Sequence, residues 1–343
     1  MESNSEQIQR IVNYETLMEQ AEALLRSESR SAAEMAQLRA MLRELEAYYI
    51  GEDWRRDFAD DEAGRLPRDL KRGVLSEDGI DHLLEDFQAL TQEAVTIMDD
   101  GIPLCAVLER PEAERCPLVI YLHGFTSSKD RPHGVAACKA MREAGFATLR
   151  VDLYGHGESG GAFRTHTLHK WISNTLAVLR WAQAQPFVTE LWLSGHSQGG
   201  LTAALVGGMA PDLVHGLILR APAFMIPRCA RAGSLLGNRF DPAKVPASIP
   251  TIKGLTLDGD YLRVAQTIHV EDAIDRFPGP VLLLHGEADD VVPVRDSELA
   301  ARRYRNCRLV ILPGETHHFD QRPMQMMEAI SHWLRPFAGT GSK

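Results

Sequence analysis

In the first quarter of the chain, apolar residues recur at alternating steps of three and four. Ile11, Tyr14, Met18, Ala21 and Leu25 form one seam, and Met35, Leu38, Leu42, Leu45 and Tyr49 a second. This period predicts two amphipathic helices. The polar stretch 27–31 between them is short enough to fold them into an antiparallel hairpin. A third helix is predicted with Ser76 as its N-cap and with Glu77 and Asp78 set against the positive helix start. Ile80, Leu83, Leu84 and Phe87 supply its apolar face. Residues 51–73 are polar and charged and read as a link.

From Ala94 the period changes to two. Val95, Ile97 and Asp99 lead into Asp100-Gly101, a hairpin signal, and 104–108 forms the return strand. Short apolar runs then alternate with helical stretches: 118–122, 147–152, 191–194, 216–219, 281–284 and 309–312. Strands of that kind, separated by helices, predict a mostly parallel sheet covered on both faces. One connection, 221–280, runs to about sixty residues where a crossover needs a dozen or so. Its central part, about 222–278, is expected to form a cap at the carboxyl edge of the sheet. The pattern therefore predicts a small all-α domain over 1–91 and an α/β domain over 92–343.

The formal charge of −10 is unevenly placed, with 21 acids and 11 bases in residues 1–91 and 26 of each in the remainder. An acidic balance attracts neither nucleic acid nor an anionic membrane, so neither is expected as a partner. Cys105, Cys116, Cys138, Cys229 and Cys307 are odd in number and widely spaced, which suggests neither a disulfide framework nor a zinc site. The first residues lack the basic and apolar regions of a signal peptide, and no apolar stretch approaches a membrane span. A cytoplasmic protein is expected.

The most informative segment is Leu191-Trp192-Leu193-Ser194-Gly195-His196-Ser197-Gln198-Gly199-Gly200. It places Gly-x-Ser-x-Gly at the end of a predicted strand and before a helical run, the pattern of a nucleophile elbow, in which the serine hydroxyl projects above the sheet edge. A serine hydroxyl attacks an ester only when a histidine takes its proton and a carboxylate orients that histidine. Loops after two late predicted strands hold the required residue types in the required order: Asp289 and Asp290, then His317 and His318. The oxyanion that forms on the substrate needs two N–H donors. Gln198 follows the nucleophile, and Phe125 follows a glycine in the loop His123-Gly124-Phe125-Thr126. His123 reads as a group that fixes this loop.

Five motifs together carry a resemblance: His123-Gly-Phe-Thr126, Asp152-Leu-Tyr-Gly-His-Gly-Glu-Ser159, Gly195-His-Ser-Gln-Gly199, His285-Gly-x-x-Asp289-x-x-Val292 and Gly314-x-x-His317-x-Phe319. Over residues 94–338 the chain resembles the α/β-hydrolase superfamily, specifically its bacterial cinnamoyl and feruloyl esterase branch. The likeness extends to Asp258-Gly-Asp-Tyr261-Leu-Arg-Val-Ala-Gln266 in the cap. It implies Asp289 rather than Asp290 and His317 rather than His318. Within the cap, 224–240 contains no acid and carries Arg228, Arg231 and Arg239. Tyr261, Arg228 and Arg231 are accordingly expected to contact substrate. The first ninety residues resemble a small helical domain family of unknown function, through Gly51-Glu-Asp-Trp54-Arg-Arg-Asp57, Asp61-Glu-Ala-Gly64 and Leu70-Lys-Arg-Gly-Val-Leu-Ser-Glu-Asp78.

The sequence thus predicts a serine carboxylesterase acting on a small-molecule ester through an acyl-enzyme. Ser197 is the expected nucleophile, His317 the proton shuttle and Asp289 its orienter, with Phe125 and Gln198 N–H groups at the oxyanion. The chemistry calls for no metal or organic cofactor. Serine peptidases and thioesterases share this machinery, and the elbow does not separate them. Gly155-His-Gly157-Glu-Ser-Gly160 formally matches a dinucleotide-binding fingerprint, but no helix opens directly after it and no acid follows at the ribose-binding distance. A non-catalytic scaffold predicts loss of a triad member, and none is lost. The acidic N-terminal helices, with their narrow seams, are expected to dock on the third helix, on the α/β domain or on a second copy of themselves, an interaction or dimerisation module being favoured over simple intramolecular packing.

Overall fold

The computed structural model describes residues 4–76 and 78–338. It divides into two compact units, Met1–Gln92 and Glu93–Lys343.

The first unit is helical. Helices α1 (Asn4–Leu25), α2 (Ala32–Tyr49), α3 (Glu52–Glu62) and α4 (Gly79–Thr91) enclose one apolar cluster. Ser31 starts α2 with a capping box: its hydroxyl accepts from Glu34 N–H, and the Glu34 carboxylate accepts from Ser31 N–H at 2.7 Å. Ile11, Ala21, Leu38 and Leu45 are fully buried, and Tyr14 stacks on Tyr48 at 3.9 Å. Both predicted seams are therefore consumed inside the unit.

Two expectations need correction here. The residue at the N-cap of α4 is Asp78, not Ser76, and Glu77 lies outside the described residues. The expected link 51–73 contains α3. Its sequence shows little apolar period because its inward anchor is a charged residue, Asp57, which is fully buried. The Asp57 carboxylate accepts from Arg10 Nη2 at 2.6 Å and Nε at 2.9 Å, from the Tyr48 hydroxyl at 2.8 Å and from Gln7 Nε2 at 3.0 Å. Full pairing is what makes burial of this carboxylate tolerable.

The second unit is built on an eight-stranded sheet. Its strands are β1 (Gln92–Asp99), β2 (Ile102–Glu109), β3 (Cys116–Leu122), β4 (Ala147–Val151), β5 (Val188–His196), β6 (Val214–Arg220), β7 (Val281–Gly286) and β8 (Cys307–Leu312). Their spatial order is β1-β2-β4-β3-β5-β6-β7-β8. In that order, from β4 to β8 all pairings are parallel, whereas β2 runs antiparallel to β4. Asp100 and Gly101 both take positive φ, 49° and 77°, the turn geometry that matches the twist of a two-residue hairpin. Strands β3, β4 and β7 are buried at every residue, which is why their apolar runs show no alternation.

Helices α5 (Pro132–Glu143), α6 (Leu168–Gln183), α7 (Gln198–Met209), α11 (Val294–Arg303) and α12 (Pro323–Leu334) flank the sheet. The long connection from β6 to β7 carries α8 (Met225–Arg231), α9 (Asp260–Thr267), α10 (Val270–Arg276) and two short antiparallel ribbons. It is an insertion at the carboxyl ends of the strands, where open α/β sheets place their ligand sites. All five cysteines are unpaired. Among the described residues, no helix is long and apolar enough to cross a membrane.

Candidate active site

Strand β5 ends at His196 and α7 begins at Gln198, so Ser197 alone makes the turn. Its backbone sits at φ 55°, ψ −119°, a region that non-glycine residues rarely occupy and that costs of order 1–3 kcal/mol. Three backbone hydrogen bonds hold it there: Ser197 N–H donates to the Arg220 carbonyl at 2.9 Å, and the Ser197 carbonyl accepts from Ala223 N–H and Leu201 N–H, each at 3.0 Å. The flanking glycines are required by space. A Cβ on Gly195 would sit 2.2 Å from the Gly199 carbonyl oxygen, and one on Gly199 would sit 2.2 Å from that of Leu122.

Asp289 and His317, from the loops after β7 and β8, meet. His317 Nδ1 lies 2.7 Å from Asp289 Oδ2, and both side chains are almost completely buried. Asp290 and His318 are exposed. Burial pushes the Asp289 carboxyl up, but donors outweigh it and hold it well below the usual carboxylate range. Those donors are His285 and His317 at Oδ2, and the N–H groups of Val291 and Val292 at Oδ1. The His317 ring therefore faces an acceptor that stays ionised below the usual carboxylate range. Neither Ser197 Oγ nor His317 Nε2 is hydrogen-bonded to a described residue. Such contacts often close only when substrate is present.

The loop of Phe125 lies directly against the nucleophile, since a Cβ on Gly124 would stand 3.3 Å from Ser197 Cβ. Gln198 is the first residue of α7, where backbone N–H groups have no intrahelical partner. His123 braces this loop. Its Nδ1 donates to the Gly124 carbonyl at 2.8 Å and its Nε2 accepts from Leu153 N–H at 3.1 Å, and burial pushes the imidazole down to about 4.

Arg228 donates through both Nη atoms to Asp296, each at 3.0 Å, and Arg231 Nη1 donates to the Ile268 carbonyl at 2.8 Å. These bonds tie α8 to α11 and to the residue after α9. Tyr261 is fully buried, and its hydroxyl donates to Gln198 Oε1 at 2.7 Å. It thus contacts the residue after Ser197, whose own Nε2 is buried without a hydrogen-bond partner among the described residues.

Sequence reasoning missed three supports of this site. His285 stands behind Asp289, with Nε2 3.1 Å from Oδ2 and Nδ1 2.7 Å from the Ser297 hydroxyl. His196 Nε2 donates to the His317 carbonyl at 2.8 Å. Glu315 accepts from the N–H groups of Thr316, Gln321 and Arg322, which fixes the same loop. The spacing His285-Gly-x-x-Asp289 was a signal for the first, because it returns the chain to its own strand end. The other two contacts leave no trace in spacing.

The fold and the residues gathered at the strand ends define a serine hydrolase of the carboxylic ester class. The chain belongs to the α/β-hydrolase superfamily. Over 70% of its length it is 45% identical to Est1E from Butyrivibrio proteoclasticus, whose structure holds ferulic acid; 98% of that chain is covered, with a TM-score of 0.69. Residues 113–251 match a family described as serine aminopeptidase, S33, and residues 11–97 match a domain of unknown function, DUF4298. Human Protein ABHD12B is 28% identical over 62% of this chain, which spans 59% of that protein's length. A monoacylglycerol lipase of Mycolicibacterium smegmatis is 25% identical over 68% of this chain and 93% of its own.

Proposed function

We propose that the protein hydrolyses esters of hydroxycinnamic acids through a Ser197 acyl-enzyme. Ser197 Oγ attacks the ester carbonyl carbon while His317 Nε2 takes its proton, and the N–H groups of Phe125 and Gln198 stabilise the oxyanion. Collapse expels the alcohol, which takes the proton from His317. A water activated by the same histidine then releases the acid. Asp289 orients the imidazole and balances its positive form. The observation that carries this reading is the buried Asp289–His317 hydrogen bond, in a chain whose serine occupies a strained elbow. The likeness to a ferulic acid-binding protein supports the acyl group.

A rate panel tests it: methyl ferulate and related cinnamates, p-nitrophenyl acetate, an acyl-CoA and an aminoacyl anilide. Cinnamate esters are expected to show the highest kcat/KM. Faster cleavage of the anilide or the thioester would move the protein to the peptidase or thioesterase reading.

The free cysteines and the acidic surface support a cytoplasmic setting. Homodimerisation through the N-terminal helices would need a surface other than the two apolar seams, which are buried within their own unit. Light scattering on the full chain is expected to give the monomer mass of 38.1 kDa. About twice that mass would restore the dimer.

A further inference from the structure

Arg220 belongs to no motif above and ends strand β6, where it is 0% exposed. Its guanidinium meets neutral partners. Nη1 donates to the His133 carbonyl at 3.0 Å and to Met326 Sδ at 3.3 Å, and it stands 3.4 Å from His133 Nδ1. The ring faces of Tyr121 and Phe319 lie 5.3 and 5.7 Å from the guanidinium carbon. Nε and Nη2 have no hydrogen-bond partner among the described residues. Burial, with Arg220 alongside, pushes the His133 imidazole down to about 3, so that ring stays neutral beside the cation. A guanidinium keeps its proton even when buried. Holding it in the interior without a carboxylate costs stability that an apolar side chain of similar size would not. Stability alone gives no reason to keep such a residue.

Its contacts converge on the two reacting groups. Through the backbone, the Arg220 carbonyl accepts from Ser197 N–H at 2.9 Å. Through the side chain, the guanidinium lies over Phe319, two residues beyond His317. Phe319 sits at φ 56°, a conformation that a bulky residue keeps only when its surroundings impose it. A second route reaches His317 itself. His133, held by its carbonyl, packs its ring against His196 at 4.6 Å between centroids, and His196 Nε2 donates to the His317 carbonyl at 2.8 Å. One residue therefore holds the nucleophile turn by its carbonyl and brackets the His317 loop by its guanidinium.

We propose that Arg220 is a positioning residue of the hydrolase, whose buried guanidinium sets the His317 loop against the Ser197 turn so that the imidazole meets the serine hydroxyl. This rests on the Ser197–His317 reading of the site and adds the contact that aligns the two. Fully buried, the guanidinium meets no substrate, so its loss falls on kcat rather than on KM.

Arg220→Met keeps much of the length and the contact with the rings, and removes the charge and the donors. It is expected to lower kcat on p-nitrophenyl acetate about tenfold or more, with KM within about twofold, and to slow fluorophosphonate labelling of Ser197 by a similar factor. Its melting temperature is expected to equal or exceed that of the wild type. Arg220→Lys, which retains a charge and a donor, should recover part of the lost kcat. A residue that serves only the fold would give the reverse pattern, a lowered melting temperature with wild-type kcat in the folded fraction, and that result would overturn the proposal. Should the methionine variant fail to fold, Arg220→Lys carries the test: lowered kcat at unchanged KM and melting temperature supports the proposal, and wild-type kcat overturns it. A wild type that neither cleaves the ester nor labels at Ser197 would defeat the reading of the site, and this proposal with it. An active, labelled wild type beside an equally active methionine variant would defeat the Arg220 assignment only.

Discussion

Ser197→Ala is expected to fold like the wild type and to lose about a thousandfold or more in kcat on p-nitrophenyl acetate. The turn should survive, because the bonds that hold it are made by backbone atoms: Ser197 N–H to Arg220 and the Ser197 carbonyl from Ala223 N–H and Leu201 N–H. Alanine can occupy the same φ at similar cost. What disappears is the hydroxyl that the proposed reaction acylates, and with it any benefit from the Asp289–His317 pair, since the groups of such a triad act as a unit. A residual rate above water is expected from the Phe125 and Gln198 amides, which the substitution leaves in place. A fluorophosphonate probe should label the wild type at Ser197 and leave the variant unlabelled. A variant with near-wild-type turnover would end the serine-esterase reading.

The sheet was legible because burial on both faces writes itself as short apolar runs. Each of the predicted runs 118–122, 191–194, 216–219, 281–284 and 309–312 lies inside an observed strand. The insertion was legible as length alone. What stayed hidden was polar burial. Helix α3 turns inward on Asp57, and a carboxylate gives no apolar period, although Arg10, Gln7 and Tyr48 from two other helices had to be present to pair with it. The partners of Arg228 and Arg231 were hidden for the same reason, because only the fold brings Asp296 and the Ile268 carbonyl to them.

Each of the two loops offered adjacent candidates, Asp289 or Asp290 and His317 or His318, and the second large prediction separates them. Asp289→Asn and His317→Ala are each expected to lower kcat by about two to four decades, whereas Asp290→Asn and His318→Ala should stay within about threefold. The geometry behind this is specific. Asp289 spends both oxygens on four donors, Oδ1 on two backbone N–H groups and Oδ2 on His285 and His317, and its charge balances the imidazolium that the proposed reaction forms in each half. An asparagine keeps the shape but has no charge, and its amide nitrogen cannot accept from His317 Nδ1–H, so the ring would turn to the tautomer unable to take the serine proton. Acidification cannot mimic this variant. The carboxyl is held well below the usual range, so Asp289 remains ionised as pH falls through the values at which an ordinary carboxylate protonates. The stabilisation that its pairing gives the fold is likewise present above the unfolded pKa and lost only once pH falls toward the depressed folded value. Asp290 and His318 are exposed one residue away, and neither takes part in the Asp289–His317 hydrogen bond. The four variants assayed side by side on one ester, with thermal melts to exclude unfolding, decide the assignment: a greater loss from His318→Ala or Asp290→Asn would move the relay by one residue.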